Sequence, residues 1–242
     1  MSSDTIMAVK NLDVFYGDFQ AVHGVAMDFP KGKIISIIGS NGAGKSTLLN
    51  AIMGVNKTAR GAVEFEGQDI TGLKTSAIVA KGVVMSPEGS GVFEDMSVGE
   101  NLLMGAHLPH AWKQKDRLLD RAFALFPVLK EKEGQLATFL SGGQRQMLSI
   151  ARALMSDPKL LICDEVSLGL APAIIKDIYD RIFEVNDAGV TVVLVEQEVK
   201  RSLECSDYSY VLVKGRVVIE GETARLSESE VKDAYFGTNK YA

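Results

Sequence analysis

The sequence lacks several features that mark other kinds of protein. It has two cysteines among 242 residues, and Cys163 and Cys205 are too far apart to form a CxxC motif. A disulfide framework and a structural zinc site are therefore not expected, and this cysteine usage fits a reducing cytosol. No run of about 18 or more apolar residues occurs, so no segment is predicted to span a bilayer.

The chain also lacks a basic surplus. It has 26 lysines and arginines against 31 aspartates and glutamates, which gives a formal net charge of -5. A general nucleic-acid binder needs cations to neutralise phosphates, so nucleic acid is not an expected partner. Hydrophobic residues make up 46% and charged residues 24%, the usual balance for a globular core. The length suits one large α/β domain.

Hydrophobic periodicity and turn residues predict an alternation of strands and helices. The predicted strands are 6–16, 34–38, an edge strand at 62–70, 160–163, 190–195, and a hairpin of 210–213 and 216–219. The predicted helices are 46–53, most of 98–152 including a segment at 117–129 that Pro127 ends or kinks, and a last helix after the capping box Ser227–Glu230. This order predicts a parallel α/β core with a helical insertion.

A glycine loop between the strand 34–38 and the following helix matches GxxxxGKS. Its glycines leave backbone N–H groups open to phosphate oxygens, and the helix adds the positive end of its dipole. Lys45 can reach the β- and γ-phosphates of a nucleotide, and the Ser46 hydroxyl can ligate Mg²⁺. The alternative is a plain glycine-rich turn. The candidate nucleotide-binding residues are Gly39, Ser40, Asn41, Gly42, Ala43, Gly44, Lys45, Ser46 and Thr47.

An apolar strand, LLICDE, ends in Asp164 and Glu165. A carboxylate at the carboxyl end of a parallel strand lies where such sheets bind ligands. Asp164 is predicted to hold Mg²⁺ directly or through water, and Glu165 to orient or deprotonate the attacking water. Taken alone, the pattern also fits a strand that ends in solvated acids.

A second candidate anion site is the segment LSGGQ. Ser141, Gly142, Gly143 and Gln144 precede or open a helix that runs toward Leu154, and a helix amino terminus favours an anion. The alternative is a helix cap with a flexible lead-in.

GSNGAGKST, LSGGQ and LLICDE, in that order, resemble the nucleotide-binding subunit of an ABC transporter over nearly the whole chain. The resemblance implies one ABC ATPase domain over 1–242, with an antiparallel β part at the amino terminus and a helical subdomain at about 98–152. It implies ATP and Mg²⁺ as cofactors. It also implies that two subunits face head to tail, so that residues 141–144 contact the γ-phosphate of ATP bound to the opposite subunit.

Further positions carry over from the resemblance. Tyr16 falls where the family stacks an aromatic ring on adenine, although a strand-end tyrosine is the alternative. Glu88 falls where most relatives carry a glutamine that senses Mg²⁺ and the membrane partner. Gln197 replaces a histidine that touches the γ-phosphate, or merely closes a loop. Ala171 replaces the aspartate that commonly closes the loop after the catalytic glutamate.

PEG, SLGLAP, VEQ and the tail VKDAYFG together resemble the ATPases of branched-chain amino-acid uptake systems. Val166 departs from the proline usual in that branch, and we expect a less rigid but functional loop there. The branch implies transmembrane permease subunits, an extracytoplasmic solute-binding protein that acts indirectly, and a place at the cytoplasmic face of the membrane. The segment 88–96, with Val92, Phe93 and Met96, is predicted to dock the permease.

Other ATPases fit less well. ABC-type ATPases of chromosome maintenance carry long coiled coils before LSGGQ, whereas this chain has only 98–139 there. DNA-repair relatives add CxxC modules, and translation-factor relatives have two glycine loops in one chain. A kinase or GTPase would lack LSGGQ. The residues leave open the solute, a non-transport role, and whether the working pair is two copies or this chain with a sister.

Overall fold

A computed structural model describes residues 5–236, which divide into two compact units. One unit runs from the amino terminus to Ile78 and resumes at Thr191, and the other is Val79–Val190. Gly237, the last residue of the VKDAYFG tail, lies outside the described residues.

Strands and helices alternate along most of residues 5–236. The strands are β1 (Thr5–Tyr16), β2 (Phe19–Pro30), β3 (Ile34–Ile38), β4 (Thr58–Phe65), β5 (Gln68–Asp69), β6 (Val83–Ser86), β7 (Leu160–Asp164), β8 (Thr191–Glu196), β9 (Tyr208–Val213) and β10 (Arg216–Glu222). The helices are α1 (Lys45–Ile52), α2 (Thr75–Lys81), α3 (Val98–Gly105), α4 (Pro109–Lys113), α5 (Lys115–Leu125), α6 (Pro127–Glu131), α7 (Gly142–Leu154), α8 (Pro172–Asp187), α9 (Val199–Glu204) and α10 (Glu228–Phe236). Short 3₁₀ turns occupy Ala137–Phe139 and Thr223–Arg225.

The first unit contains an antiparallel sheet with the strand order β2-β1-β4-β5. Alternation along β2 explains its place in the sheet, because Val25, Met27 and Phe29 are buried while Ala26 and Asp28 are exposed. Successive side chains of a strand point to opposite faces, so one face of this sheet covers a core and the other meets solvent.

The same unit contains a mainly parallel set of strands. β3 pairs in parallel with β8 on one side and with β9 on the other, and β10 pairs antiparallel with β9. Every residue of β3 and β8 is buried, as expected for parallel strands that are covered on both faces. A core cluster of Ile38, Val199, Val211 and Val231 joins these strands to α9 and α10.

The second unit pairs β6 with β7 in parallel and surrounds α7 with helices. α7 contacts α3, α5, α6 and α8, and most of its side chains are buried. This helix begins immediately after Ser141, so the packing of the unit holds its amino terminus in place.

The predicted fold class is confirmed, with an α/β core, parallel strand pairs and an antiparallel part at the amino terminus. Helices α3 to α7 occupy the segment expected to be mainly helical, while the limits 98–152 of a subdomain stay a prediction. Pro127 ends the predicted helix and opens α6 at its first turn, where its missing N–H costs nothing.

Two turn predictions had different outcomes. Lys214 and Gly215 join β9 to β10 with positive φ at both residues, as predicted for a tight hairpin. The prediction of a single edge strand at 62–70 is wrong, because Glu66 and Gly67 both take positive φ and fold the segment into the hairpin β4–β5.

The predicted capping box at Ser227 and Glu230 is confirmed, since the side chain of each residue bonds the backbone N–H of the other.

Candidate functional site

The glycine loop connects the carboxyl end of β3 to the first residue of α1. β3 ends at Ile38 and α1 begins at Lys45. Gly44 precedes the helix with φ of 103°, in the left-handed region, and gives the helix no side-chain cap. The N–H groups in the first turn of α1 therefore receive no acceptor from the cap residue, which suits an anionic ligand.

Two glycines of this loop are required by close backbone contacts within the first unit. A Cβ on Gly39 would lie 2.7 Å from the carbonyl oxygen of Leu212, and a Cβ on Gly44 would lie 3.0 Å from that of Ala21. Backbone atoms cannot retreat as a flexible side chain can. A side chain at either position would therefore require the neighbouring backbone to move.

Lys45 lies inside this loop rather than in solvent. Its side chain is buried, and Nζ donates hydrogen bonds to the carbonyl oxygens of Gly39 at 2.9 Å and Ser40 at 3.1 Å. Ser46 is exposed on the first turn of α1, and Thr47 beside it is half-buried. The exposures of the remaining loop residues differ, with Asn41 and Gly42 exposed and Ala43 buried.

Tyr16 lies at the end of β1 with 50% of its surface exposed. Its hydroxyl accepts a hydrogen bond of 2.6 Å from Nδ2 of Asn56 and donates one of 3.5 Å to Oγ1 of Thr47. The structure therefore brings the predicted adenine-stacking residue to the glycine-loop helix. The sequence analysis did not single out Asn56.

Gln197 follows β8 at the sheet edge where the glycine loop begins. Ile38 and Glu196 are partners in the parallel register of β3 and β8, and the N–H of Gly39 donates to the carbonyl oxygen of Glu196 at 3.3 Å. Gln197 is half-buried and directly follows Glu196. A side chain at this position belongs to the same sheet edge as the phosphate loop.

The acidic pair lies at the end of β7 in the second unit. Asp164 and Glu165 are both buried, at 6% and 8% exposure. Ser86 pairs with Cys163 in the parallel register of β6 and β7, so the chain after β6 leaves the sheet at the edge where these acids lie. Glu88 is exposed in that following loop.

Glu165 has an unusual backbone, with φ of 49° in the left-handed region. Such a conformation costs a non-glycine residue about 1–2 kcal/mol and often accompanies a functional constraint. The carbonyl oxygen of Glu165 accepts from the N–H of Leu168, which closes the turn after β7. Val166 is buried in this turn, and Ala171 precedes α8 without a side-chain cap, where an aspartate would supply one.

The LSGGQ segment forms a capping box at the start of α7. The Ser141 hydroxyl accepts from the N–H of Gln144, and the Gln144 side chain accepts from the N–H of Ser141. Gly142 is exposed, whereas Gly143 is buried and a Cβ there would lie 2.5 Å from Cγ2 of Ile174. The second glycine therefore lets α8 approach α7, while the exposed end of the helix keeps its backbone accessible.

The segment 88–96 is held by two side chains that the sequence analysis did not single out. Buried Asn101 bonds both the N–H and the carbonyl oxygen of Phe93. Arg152 of α7 donates to the carbonyl oxygen of Gly91 at 2.8 Å and lies over the Phe93 ring at 5.0 Å. Burial lowers the pKa of the Arg152 guanidinium. Phe93 is 44% exposed, and Val92 and Met96 are half-buried.

Metal-binding and membrane-spanning features were also sought within residues 5–236. In this range no group of three or more histidine, cysteine, aspartate or glutamate side chains could hold a metal ion. None of the helices in the described range is both long and apolar enough to cross a membrane.

Comparison with known families identifies one match over the centre of the chain. The family described as ABC transporter matches residues 22–167, which include the glycine loop, LSGGQ and the acidic pair.

Similar proteins match over nearly the full length. The high-affinity branched-chain amino acid transport ATP-binding protein BraG of Pseudomonas aeruginosa is 44% identical over 236 residues, which cover 96% of this chain and 100% of BraG. The probable branched-chain amino acid transport ATP-binding protein LivF of Archaeoglobus fulgidus is 38% identical over 93% of this chain and 95% of its own length. A crystal structure of an ABC transporter ATP-binding cassette in its ADP conformation superposes with a TM-score of 0.81, at 31% identity, over 97% of this chain and 96% of that cassette.

Proposed function

The chain belongs to the ABC transporter family, and we propose that it powers uptake of branched-chain amino acids or a chemically related solute. It is the subunit that binds and hydrolyses ATP. The main observation behind the proposal is that one chain contains both a phosphate loop folded around Lys45 and a capped LSGGQ helix. The choice of solute is supported by the names of BraG and LivF.

The phosphate loop supports binding of the triphosphate through Lys45. The carbonyl oxygens of Gly39 and Ser40 accept hydrogen bonds from the ammonium group, which places its charge within the loop. Phosphate oxygens are stronger acceptors for a cation than neutral carbonyls, so Lys45 can exchange its partners when ATP binds. The open amino terminus of α1 adds N–H donors for the same phosphates.

Ser46 and Asp164, which the motifs assign to Mg²⁺, each carry an oxygen donor. Ser46 supplies a hydroxyl and Asp164 a carboxylate, both ligands of the hard type that Mg²⁺ prefers. Mg²⁺ commonly keeps several waters and is held in part through substrate phosphates, so it needs few ligands from the protein. Bound Mg²⁺ neutralises phosphate charge, and Glu88 would respond to it through its exposed carboxylate.

Glu165 is proposed as the group that orients and deprotonates the attacking water. Two observations support this role. Glu165 directly follows β7, and its left-handed backbone fixes the direction in which the buried carboxylate leaves the turn. A second subunit, either another copy or a sister chain, is proposed to supply LSGGQ to each ATP. Permease subunits in the membrane and an external binding protein would complete the transporter and place this chain at the cytoplasmic face.

Uptake in cells tests the proposed solute class. Cells that lack this chain should lose uptake of radiolabelled leucine, isoleucine and valine, and wild-type chain should restore it. The Lys45→Ala variant should express normally but not restore uptake, because the triphosphate loses its cation. Unchanged uptake of all three amino acids in the deleted cells would reject this solute class, while hydrolysis of ATP by the purified chain without an acceptor would still identify an ATPase.

Gln197 provides a test of the residue that replaces the usual histidine. Gln197→His should keep ATP turnover near the wild-type rate, since either side chain can donate a hydrogen bond to phosphate. Gln197→Ala should slow turnover about tenfold, the usual effect of losing one hydrogen bond to a charged group. Steady-state phosphate release measures all three proteins, and equal rates would support a loop-closing role.

The segment 88–96 is proposed as the docking surface for the permease. Phe93 exposes part of an aromatic ring, and Asn101 and Arg152 hold the segment around it in place. Within the described residues, the buried Nη1 atom of Arg152 has no hydrogen-bond acceptor. A partner that covers Phe93 would remove its exposed ring from water.

Phe93→Asp should leave ATP hydrolysis by the isolated chain within about twofold of wild type, because the side chain lies at the surface. Uptake should fall about tenfold or more, since a new charge would be buried against the permease. Trp112→Asp is the matched control, because Trp112 is an exposed aromatic residue of the same unit, at 53% exposure against 44% for Phe93. Native uptake with Phe93→Asp would contradict the docking proposal.

A further inference from the structure

We infer that Asn56 is a positioning residue for the nucleotide base and acts through Tyr16. The inference deepens the proposed function, because it rests on Tyr16 as the ring that stacks on the base. Asn56 does not belong to the glycine loop, LSGGQ or the acidic pair, and it lies outside those motifs in sequence.

The contact between the two side chains is direct and short. Nδ2 of Asn56 lies 2.6 Å from the Tyr16 hydroxyl and donates to it. Tyr16 is the last residue of β1, immediately before the hairpin turn that leads to β2, and half of its surface is exposed. An exposed tyrosine can change rotamer at little cost in free energy. A hydrogen bond to its hydroxyl therefore restricts the orientation of the ring.

Asn56 is itself anchored to the helix that carries the phosphate loop. Its N–H donates to the carbonyl oxygen of Asn50, near the end of α1, at 3.1 Å. The N–H of Val55 donates to the same oxygen at 2.8 Å. The turn that contains Asn56 is therefore bonded to α1, and this fixes the backbone from which the Asn56 amide extends.

α1 consequently connects the residues proposed for both ends of a nucleotide. Lys45 and Ser46 in its first turn are the residues proposed to bind the phosphates, and Thr47 in the same turn accepts a hydrogen bond of 3.5 Å from the Tyr16 hydroxyl. Asn56 beyond its last turn donates to that hydroxyl. One rigid element thus sets the distance between the ring and the phosphate loop, so a bound nucleotide need not order the ring itself.

This arrangement predicts an effect on the base and none on the phosphates. Without the amide of Asn56, Tyr16 keeps its ring, but the orientation of the ring is no longer fixed. ATP should then bind about three- to tenfold more weakly. This is the range expected for the loss of one neutral hydrogen bond and one ordered side chain. Inorganic triphosphate has no base and should bind equally well to the wild type and the variant. A purely structural role for Asn56 would instead weaken both ligands or lower the thermal stability.

The test is equilibrium titration of the full chain with MgATP and with magnesium triphosphate. The variants are Asn56→Ala, Tyr16→Phe, the double variant, and Tyr16→Ala, which removes the ring. Val55→Ala is the matched control, because its exposed side chain lies on the same turn. Both single variants should weaken ATP alone. The double variant should be no weaker than Tyr16→Phe, because loss of the hydroxyl already removes the bond to Asn56 as well as the bond to Thr47.

The outcomes separate this inference from the role of Tyr16. If Tyr16→Ala weakens ATP binding but Asn56→Ala does not, the positioning role is wrong and the stacking role stands. If Tyr16→Ala leaves ATP affinity unchanged, the stacking role fails and the inference fails with it. If Asn56→Ala weakens triphosphate as much as ATP, Asn56 supports the phosphate loop and the inference is also rejected.

Discussion

Replacing Glu165 with glutamine should slow ATP hydrolysis by about two or more orders of magnitude and leave ATP binding intact. Glutamine has nearly the same size as glutamate and tolerates the left-handed backbone equally well, so the turn after β7 should not change. It cannot accept a proton from water. The variant therefore separates catalysis from structure more cleanly than alanine would.

Two measurements test the Glu165→Gln variant. Single-turnover hydrolysis of MgATP gives the chemical rate, and size-exclusion chromatography with ATP should give a doubled mass, because unhydrolysed ATP keeps the closed pair together. Glu131→Gln serves as the control, since Glu131 is an exposed glutamate in the same unit at the end of α6. Near-native turnover in Glu165→Gln would show that another residue deprotonates the attacking water, and Glu88 in the neighbouring loop would be tested next.

Residue types and spacing predicted most of the candidate site. GxxxxGKS requires a strand before it and a helix after it, and β3 and α1 occupy those places. LLICDE is a run of buried residues that ends in two acids, and it forms β7 as predicted. These motifs are local, so each one can be recognised without knowing what packs against it.

The contacts between distant segments could not be predicted in the same way. Asn56 meets Tyr16 across 40 positions, and Asn101 and Arg152 reach segment 91–93 from two different helices. An asparagine that bonds a backbone or a phenol leaves no periodic pattern, because its partner is set by tertiary packing. The left-handed backbone of Glu165 is likewise invisible in the residue type.

Glycines show both the strength and the limit of sequence reasoning. Gly143 was predicted as part of an anion site, and the structure adds a packing reason, since Ile174 of α8 leaves no room for a Cβ. Gly39 and Gly44 were predicted to expose backbone to phosphate, and both also meet neighbouring carbonyl oxygens. Packing therefore requires glycine at positions that are also proposed to bind phosphate, and only the coordinates show the packing requirement.

Mixing two inactive variants should restore ATP occlusion, if the glycine loop and LSGGQ meet across two subunits. Lys45→Ala removes the phosphate cation, and Ser141→Arg places a long charged side chain where the exposed cap residue of α7 now stands. In a head-to-tail pair of the two variants, one site carries both defects. The other site joins an intact glycine loop to an intact LSGGQ.

Each variant alone should occlude no ATP, because both of its sites carry one defect. Mixed pairs isolated with two different affinity tags should hold one ATP per pair after rapid removal of free nucleotide. Turnover is the weaker readout, since the two sites can depend on each other for hydrolysis.

A control is needed because Ser141→Arg also removes a helix cap, at a cost of about 0.5–2 kcal/mol. Ser227→Arg removes a cap of the same capping-box type from α10, which belongs to the first unit. It should lose similar stability yet occlude ATP as the wild type does. If tagged mixed pairs form and still hold no ATP, the two phosphate-binding elements do not share a site, and the proposed head-to-tail pair is wrong.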